Sequence, residues 1–335
     1  METTRRETLK YMSAAAIAGA AGTVSAANAA PSVKAPSSKM KLWAAATTPC
    51  DKNLKVDLGA MKEQVEWYKS HGADGMTFLG STGEFTAFTM AEHKALMEVV
   101  GKAKGNLDVL CTASTANVPD TIELCKHAAD HGADGVIVSP PYYVKGISTE
   151  GMLRYYTMVL DGLPKSLPFY LYHVPRWSMA PIPVELVKQL RRYGNVAGLK
   201  DSTTDAKGYT NFVTNFPDMS IITGTYENLE IALNHGMGGI IQEAGPYCRD
   251  LADLFAVARS GKDIHGPYAA LQAKIAQLYG PQDGLDQYGI MQYAMTVEMG
   301  KPASYQRPPF VDLSDARKAK IEKTLREQRV KLGRI

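Results

Sequence analysis

Four short stretches of the 335-residue chain carry groups suited to carbonyl chemistry, each at the end of an apolar run. Lys200 closes the stretch Val196-Ala-Gly-Leu-Lys200-Asp201. An apolar strand end disfavours a charged amine, and a neutral amine is the nucleophile that imine formation requires. The plain structural alternative is a lysine paired with a carboxylate, and Asp201 stands beside it. Tyr172 lies near the end of Phe169-Tyr-Leu-Tyr172-His173-Val-Pro175, where a phenol either shuttles protons or simply packs. Gly80-Ser81-Thr82-Gly83-Glu84 sets two hydroxyls between glycines, and its backbone N–H groups suit a small carboxylate. An ordinary turn tied down by Glu84 is the other reading of that loop. Ser139-Pro140-Pro141-Tyr142-Tyr143 brings rigid aromatics to a fourth such end.

The elements that must position these groups are legible from a repeat. His71-Gly-Ala-Asp-Gly75 leads into MTFLG, His131-Gly-Ala-Asp-Gly135 into VIVSP, and a looser copy, His235-Gly-Met-Gly-Gly239, into IIQEA. Amphipathic stretches precede them at Leu58–Ser70, Thr121–Asp130 and Asn228–Asn234. Each is a helix capped by glycine that runs into a short buried strand. Strands are expected at 41–47, 74–80, 107–113, 134–139, 168–173, 196–200, 219–223 and 238–242. Helical patterns such as Ala91–Lys104, Pro183–Tyr193 and Asp250–Ser260 separate them. Near-continuous apolar strands alternating with helices predict an α/β fold, a (β/α)8 TIM barrel with additional C-terminal helices. A doubly wound sheet is the rival, but no G-x-G-x-x-G follows the first strand. In a barrel the strands' carboxyl ends hold the active site, which is where all four stretches fall.

The reading divides the chain into a signal at 1–30, a linker at 31–39, a barrel at 40–264 and a helical extension at 265–335. Residues 1–30 pair Arg5-Arg6 with an Ala/Gly-rich stretch and the small residues Ala27, Ala29 and Ala30, the layout of a twin-arginine secretory signal cleaved after Ala29 or Ala30. Export to the periplasm is expected. Pro31–Lys39 is Pro/Ser-rich. Cys50, Cys111, Cys125 and Cys248 lack CxxC spacing and are expected as free, buried thiols. A net charge of +3, with much of the basic excess at the ends, gives a nucleic-acid groove little support. No window reaches a membrane span. The basic stretch Ser314–Ile335, with Ile321, Leu325 and Leu332 as its apolar residues, reads as a helix with a solvated face. The seven histidines show neither HxH nor HExxH spacing, so no metal site is expected.

In order, GSTGE, PPYY, YxVP and GLKD strongly resemble the dihydrodipicolinate synthase / N-acetylneuraminate lyase family over about residues 40–330, including Arg307-Pro-Pro-Phe310. The resemblance implies the eight-fold barrel and a covalent lysine imine with a 2-oxo acid, with no metal and no other cofactor. It assigns Lys200 to the imine, Tyr172 to proton shuttling, and Ser81 and Thr82 to the substrate carboxylate. Tyr143 becomes a relay tyrosine reaching into a neighbouring subunit, which implies a homo-oligomer, dimer or tetramer. Gly80, Arg176, Gly224, Glu227 and Ile241 complete the expected substrate pocket.

Two branches of the family compete. The synthase branch resembles Tyr-Asn-Val-Pro-x-Arg; here Arg176 falls one position early and Trp177 stands in its place. The lyase branch resembles G-Y-D-E after the seventh strand; here Gly224-Thr-Tyr226-Glu227 keeps the glutamate and has Tyr226 in place of the aspartate. A bulkier pocket with Tyr226, Gln242, Arg176, Trp177 and His173 is expected. The leading reading is an aldolase cleaving or condensing a 2-keto-3-deoxy sugar acid, or related hydroxy-oxo acid, to or from pyruvate and an aldehyde. A Schiff-base dehydratase, the 4-hydroxy-tetrahydrodipicolinate synthase reaction and an exported, non-catalytic 2-oxo-acid binding protein are the alternatives.

Overall fold

The computed structural model describes residues 40–280, 286–301 and 303–331. The expected signal and linker at 1–39 lie outside them, as does Leu332. Eight strands pair in chain order, all parallel, and the last closes onto the first. They are β1 (Lys41–Ala45), β2 (Gly75–Phe78), β3 (Asp108–Thr112), β4 (Gly135–Val138), β5 (Phe169–His173), β6 (Val196–Asp201), β7 (Ser220–Thr223) and β8 (Gly239–Gln242). All eight expected strands are present, most of them a residue or two shorter than the apolar runs. The helices are α1 (Leu58–Ser70), α2 (Met90–Ala103), α3 (Val118–Asp130), α4 (Thr149–Asp161), α5 (Pro175–Ser178), α6 (Val184–Leu190), α7 (Ala206–Asn215), α8 (Leu229–Asn234), α9 (Cys248–Arg259), α10 (His265–Tyr279), α11 (Asp286–Met299) and α12 (Asp315–Lys331).

Local chemistry sets these boundaries. Thr89 and Glu92 form a reciprocal capping box on α2, while Asn117 caps α3 with Pro119 in its first turn. At the repeated joints Gly72, Gly132 and Gly236 adopt φ of +85°, +87° and +62°, which a side chain resists. The aspartate of the repeat then stitches one strand to the preceding one. Asp74 Oδ2 accepts the Leu42 N–H at 2.8 Å, and Asp134 Oδ2 accepts the Val109 N–H at 2.7 Å. Gly75 is glycine because a Cβ there lies 2.3 Å from the Trp43 ring, which plugs the barrel.

Strand alternation separates two apolar layers. Trp43, Ala45, Leu110, Ile137, Tyr172, Val174, Ile222 and Ile241 fill the barrel interior, with Tyr170 packed against them. The larger layer lies between barrel and helices and includes Leu42, Met76, Phe169, Leu199 and Ile240. The basic C-terminal stretch forms α12, which buries Ile321 and Leu325 and packs on α10 and α11. Cys50, Cys111, Cys125 and Cys248 are free and buried. Among the described residues no helix is long and apolar enough to cross a membrane.

Candidate active site

Lys200 and Tyr172 face one another across β5 and β6, in register and both turned into the barrel. Both are buried. The Lys200 Nζ donates to the Tyr172 hydroxyl at 3.4 Å and lies 4.5 Å from the centre of its ring. Ser81 Oγ meets the same hydroxyl at 3.3 Å from the β2 loop. Burial by itself drives the Tyr172 phenol upward, but the Lys200 charge and hydrogen bonds from Ser81, Ser202 and Lys200 outweigh it. The net result holds the phenol below the ordinary tyrosine range.

The alternative Lys200–Asp201 pair does not form, because neighbours on a strand face opposite ways. Asp201 points outward and fully buried, where its Oδ1 contacts His173 Nδ1 at 3.1 Å and accepts the Thr203 N–H at 2.9 Å. His173, expected in the pocket, therefore faces the helix layer, its ring 5.4 Å from that of Phe212 on α7.

The GSTGE loop is held by its own backbone and by its acid. Glu84 N–H donates to the Ser81 carbonyl at 3.0 Å, and Phe85 N–H to that of Gly80 at 3.3 Å. Gly83 is the crowded glycine, since a Cβ there meets Leu79 N at 2.9 Å, whereas one at Gly80 meets only Thr112 Oγ1 at 3.5 Å. Glu84 receives Gln306 Nε2 at 3.0 Å and so anchors the loop to the C-terminal segment. Burial raises its carboxyl to about 7, against the pull of Gln306 and with help from Asp312.

Gly224 lies against Lys200, and Ile241 in the barrel interior. A Cβ on Gly224 sits 2.9 Å from Lys200 Cε and 2.1 Å from Ser202 Oγ, so any other residue collides with the lysine stem or its neighbour. Ile241 belongs to the interior cluster. Thr82 donates to Glu243 Oε2 at 3.4 Å. Tyr143 is 92% exposed with φ of +84°. It lines, with Ser81, Tyr172, Trp177, Tyr288 and Phe310, a cavity of about 360 Å³ that opens above Tyr172.

Three other residues expected in the pocket lie away from the cavity lining. Arg176 sits on the single turn α5, exposed, its guanidinium 5.0 Å from the Trp177 ring, and Trp177 rather than Arg176 lines the cavity. Glu227 is exposed and away from the cavity lining. Gln242, next to inward Ile241, lies in register with outer-layer Ala44, and its Oε1 accepts the Glu243 N–H at 3.3 Å. Tyr226 is half-buried and donates to the Glu243 carbonyl at 2.9 Å. Two residues were missed. Glu243 continues the inward alternation past Ile241, a signal the sequence did carry. Tyr288 arrives from α11, far along the chain, with no local signal.

Away from the barrel mouth, Glu98, His127 and His131 bring three donor atoms within 4.8 Å of one another, a grouping that HxH and HExxH spacing does not reveal. The two imidazoles stack at 4.0 Å, and His131 Nδ1 meets the His127 carbonyl at 2.8 Å. His71 repeats this cap on α1, stacked on Trp67 at 3.8 Å, with its Nδ1 at 2.7 Å from the Trp67 carbonyl. A shared helix-end geometry accounts for both stacks.

An inward lysine with a phenol on its amine, at the carboxyl ends of a (β/α)8 barrel, defines a lyase of the lysine-imine, class I aldolase kind. The chain belongs to the Dihydrodipicolinate synthetase family, which it matches over residues 39–328. A DapA-like lyase of Thermococcus onnurineus is 27% identical over 286 residues, 84% of this chain and 96% of that one. A 4-hydroxy-tetrahydrodipicolinate synthase of Acidiphilium cryptum is 28% identical over 280 residues, covering 83% of this chain and 94% of its own. Among solved structures, a prophage protein of the dihydrodipicolinic acid synthase family from E. coli K12, in complex with pyruvate, superposes with a TM-score of 0.79 at 26% identity. The match covers 86% of this chain and 98% of that one. A 2-keto-3-deoxygluconate aldolase variant of Sulfolobus solfataricus shares the fold, with a TM-score of 0.78 at 19% identity over 88% of this chain and 99% of the other.

Proposed function

We propose that the protein is an aldolase that cleaves or condenses a 2-keto-3-deoxy sugar acid, or related hydroxy-oxo acid, to or from pyruvate and an aldehyde. The observation that carries this is the hydrogen-bonded chain Lys200–Tyr172–Ser81 beneath a cavity. Lys200 forms the imine with C2, and Ser81 and Thr82 hold the carboxylate. Tyr172 takes the proton of the 4-hydroxyl; the C3–C4 bond breaks, its electrons form the enamine, and the aldehyde leaves. A phenol held below its ordinary range is suited to that step. The covalent partner is the chain's own lysine, so the reading calls for no cofactor. A pyruvate-bound relative at 26% identity supports the 2-oxo acid. Relatives named as synthases favour a second substrate with its own carboxylate, but Arg176 lies outside the cavity lining, which favours a neutral polyol tail.

The test is to incubate the protein with pyruvate, reduce with borohydride and map the adduct by mass spectrometry, then offer a panel of aldehydes. A pyruvyl group on Lys200 supports the reading, and a folded protein without one sinks it.

Exposed Tyr143 fits a residue that completes a neighbouring subunit's relay, so a dimer or tetramer is proposed; a clean monomer in light scattering argues against the shared site. Export is proposed from Arg5-Arg6 and the Ala/Gly-rich stretch with Ala27, Ala29 and Ala30 that follows. Changing both arginines to lysine should hold the protein in the cytoplasm on fractionation, and unchanged secretion would count against the twin-arginine route.

A further inference from the structure

The walls of the cavity above Tyr172 bear on what the aldehyde carries beyond its carbonyl. Tyr172 takes the 4-hydroxyl proton in the proposed reaction and is itself part of the lining, so the group on C4 enters this space. Aromatic pairs build the walls. Phe85, just after the β2 loop, and Tyr142 from the β4 loop meet edge to face at 5.7 Å. Tyr288 from α11 and Phe310 from the C-terminal segment do the same at 5.8 Å. Buried Val174 and the Trp177 ring on α5 extend the apolar surface. Trp177 keeps 41% of its surface exposed, which leaves apolar area for a ligand to cover.

The polar groups of the same walls are already engaged. Among the described residues of the lining there is no lysine or arginine, and the one carboxyl, Glu84, receives Gln306 Nε2 at 3.0 Å. Ser139 Oγ donates to the Pro140 carbonyl at 3.0 Å. Ser178 Oγ lies 3.2 Å from the carbonyls of Val174 and Ala180, and Ser81 meets Tyr172. Apart from exposed Thr86, the other polar side-chain atoms of the lining are borne on aromatic rings. A polyol entering here exchanges water for few partners, and each hydroxyl left unpaired costs free energy. An aryl group has no hydroxyls to pair and gains from buried area and edge-to-face contact.

We propose that the aldehyde partner is an aryl aldehyde, so that the oxo acid is a 4-aryl-4-hydroxy-2-oxobutanoate whose ring rests against Trp177 and the two aromatic pairs. The inference rests on the imine reading of Lys200 and narrows its hydroxy-oxo acids to those with an aryl tail in place of a polyol. The bonds that change are those already described. The 4-hydroxyl proton passes to Tyr172, the C3–C4 bond breaks, its electrons form the enamine, and the aryl aldehyde leaves. A proton then adds at C3, and water releases pyruvate from Lys200, so no oxidant or reductant is required.

The experiment measures kcat and KM for condensation of pyruvate with benzaldehyde, glyceraldehyde and succinate semialdehyde, which carry an aryl, a polyol and a carboxylate tail. The wild type, Trp177→Ala and Trp177→Phe are compared. In the wild type kcat/KM for benzaldehyde should exceed that for either other aldehyde by roughly 10–100-fold, the scale of burying one aromatic ring. Trp177→Ala should raise the KM for benzaldehyde and cut that preference by roughly fivefold. Trp177→Phe, which keeps a ring, should restore most of it. The wild-type preference decides the matter if the alanine variant fails to fold. Equal or better turnover of glyceraldehyde or succinate semialdehyde overturns the aryl assignment and leaves the imine standing. A benzaldehyde preference that both variants keep in full overturns the placement of the ring against Trp177. No borohydride-trapped pyruvyl adduct on Lys200 in the wild type overturns the imine reading and this inference with it.

Discussion

Two polar pairs stand side by side on β5 and β6 and face opposite ways. Tyr172 is in register with Lys200, and His173 with Asp201. The inward pair meets at 3.4 Å, and its phenol contacts Ser81 and lines a cavity. The outward pair is sealed beneath α7: Asp201 contacts His173 at 3.1 Å and accepts the Thr203 N–H at 2.9 Å. Residue types alone do not separate them, because a histidine–aspartate pair is as able to do acid–base work as a lysine–tyrosine pair. What separates them is the face of the strand. Inward groups meet a space that a substrate can enter, whereas outward groups meet only protein, so their polar chemistry holds the barrel to its helices.

The sharpest way to break this comparison is to remove the inward nucleophile. Lys200→Ala should abolish the pyruvyl adduct and lower turnover by roughly 10⁴–10⁶-fold, the scale of losing a covalent nucleophile. Its melting temperature should hold or rise, since a buried lysine leaves. A large loss of stability with little loss of turnover would move Lys200 to the structural side.

Tyr172→Phe comes next. It keeps the ring that packs in the interior and removes the hydroxyl shared by Lys200 and Ser81. Turnover should fall by roughly 10²–10³-fold while the Lys200 adduct still forms. The pH profile sharpens the test. With its phenol held low by Lys200, the wild type should gain activity with pH below the ordinary tyrosine range, and that limb should vanish in the variant.

The outward pair should answer in the opposite currency. Asp201→Ala strips the partner from buried His173 and leaves the Thr203 N–H unpaired, at a cost of about 3 kcal/mol. For a chain of this size that lowers the melting temperature by roughly 4–5 °C. Turnover per folded molecule should stay within roughly tenfold. An Asp201 variant that melts normally but has lost activity would erase the distinction between the two faces.

That distinction was partly legible in the sequence. The joints at His71 and His131 announced helix, cap and strand, and eight apolar runs gave eight strands. Lys200 and Tyr172 could be placed at one rim because both close such runs. His173 and Gln242 were misplaced because each adjoins an inward residue, and a shift of one position changes the face. Glu243, two positions beyond Ile241, was available by the same rule. Arg176 and Glu227 lie off the cavity lining for a different reason. They lie beyond the strand ends, in α5 and the loop before α8, where loop geometry sets the direction of a side chain. Tyr288 and Phe310 come from the C-terminal segment, and only tertiary packing brings them to the cavity.

Glu84 tests the boundary between the two kinds of residue, for it lines the cavity and also anchors the loop through Gln306. Its carboxyl is raised from 4.5 to about 7, chiefly by burial. Between those values the unfolded chain has released the proton and the folded chain keeps it, so stability falls as pH rises across that window. The contribution is about 2 kcal/mol once partial solvent exposure is allowed for. Glu92 does not blur the measurement. Its ion pair with Arg307 holds it near 2 in the folded state of both proteins, so whatever slope it adds near pH 4.5 is common to both and cancels in the comparison. Denaturant melts of the wild type and Glu84→Gln from pH 4.5 to 7 should therefore converge on different slopes, with the variant flatter by about that amount. If the slopes coincide and the variant instead loses turnover, Glu84 belongs with Lys200 and Tyr172, and the loop it anchors is held for the reaction rather than for the fold.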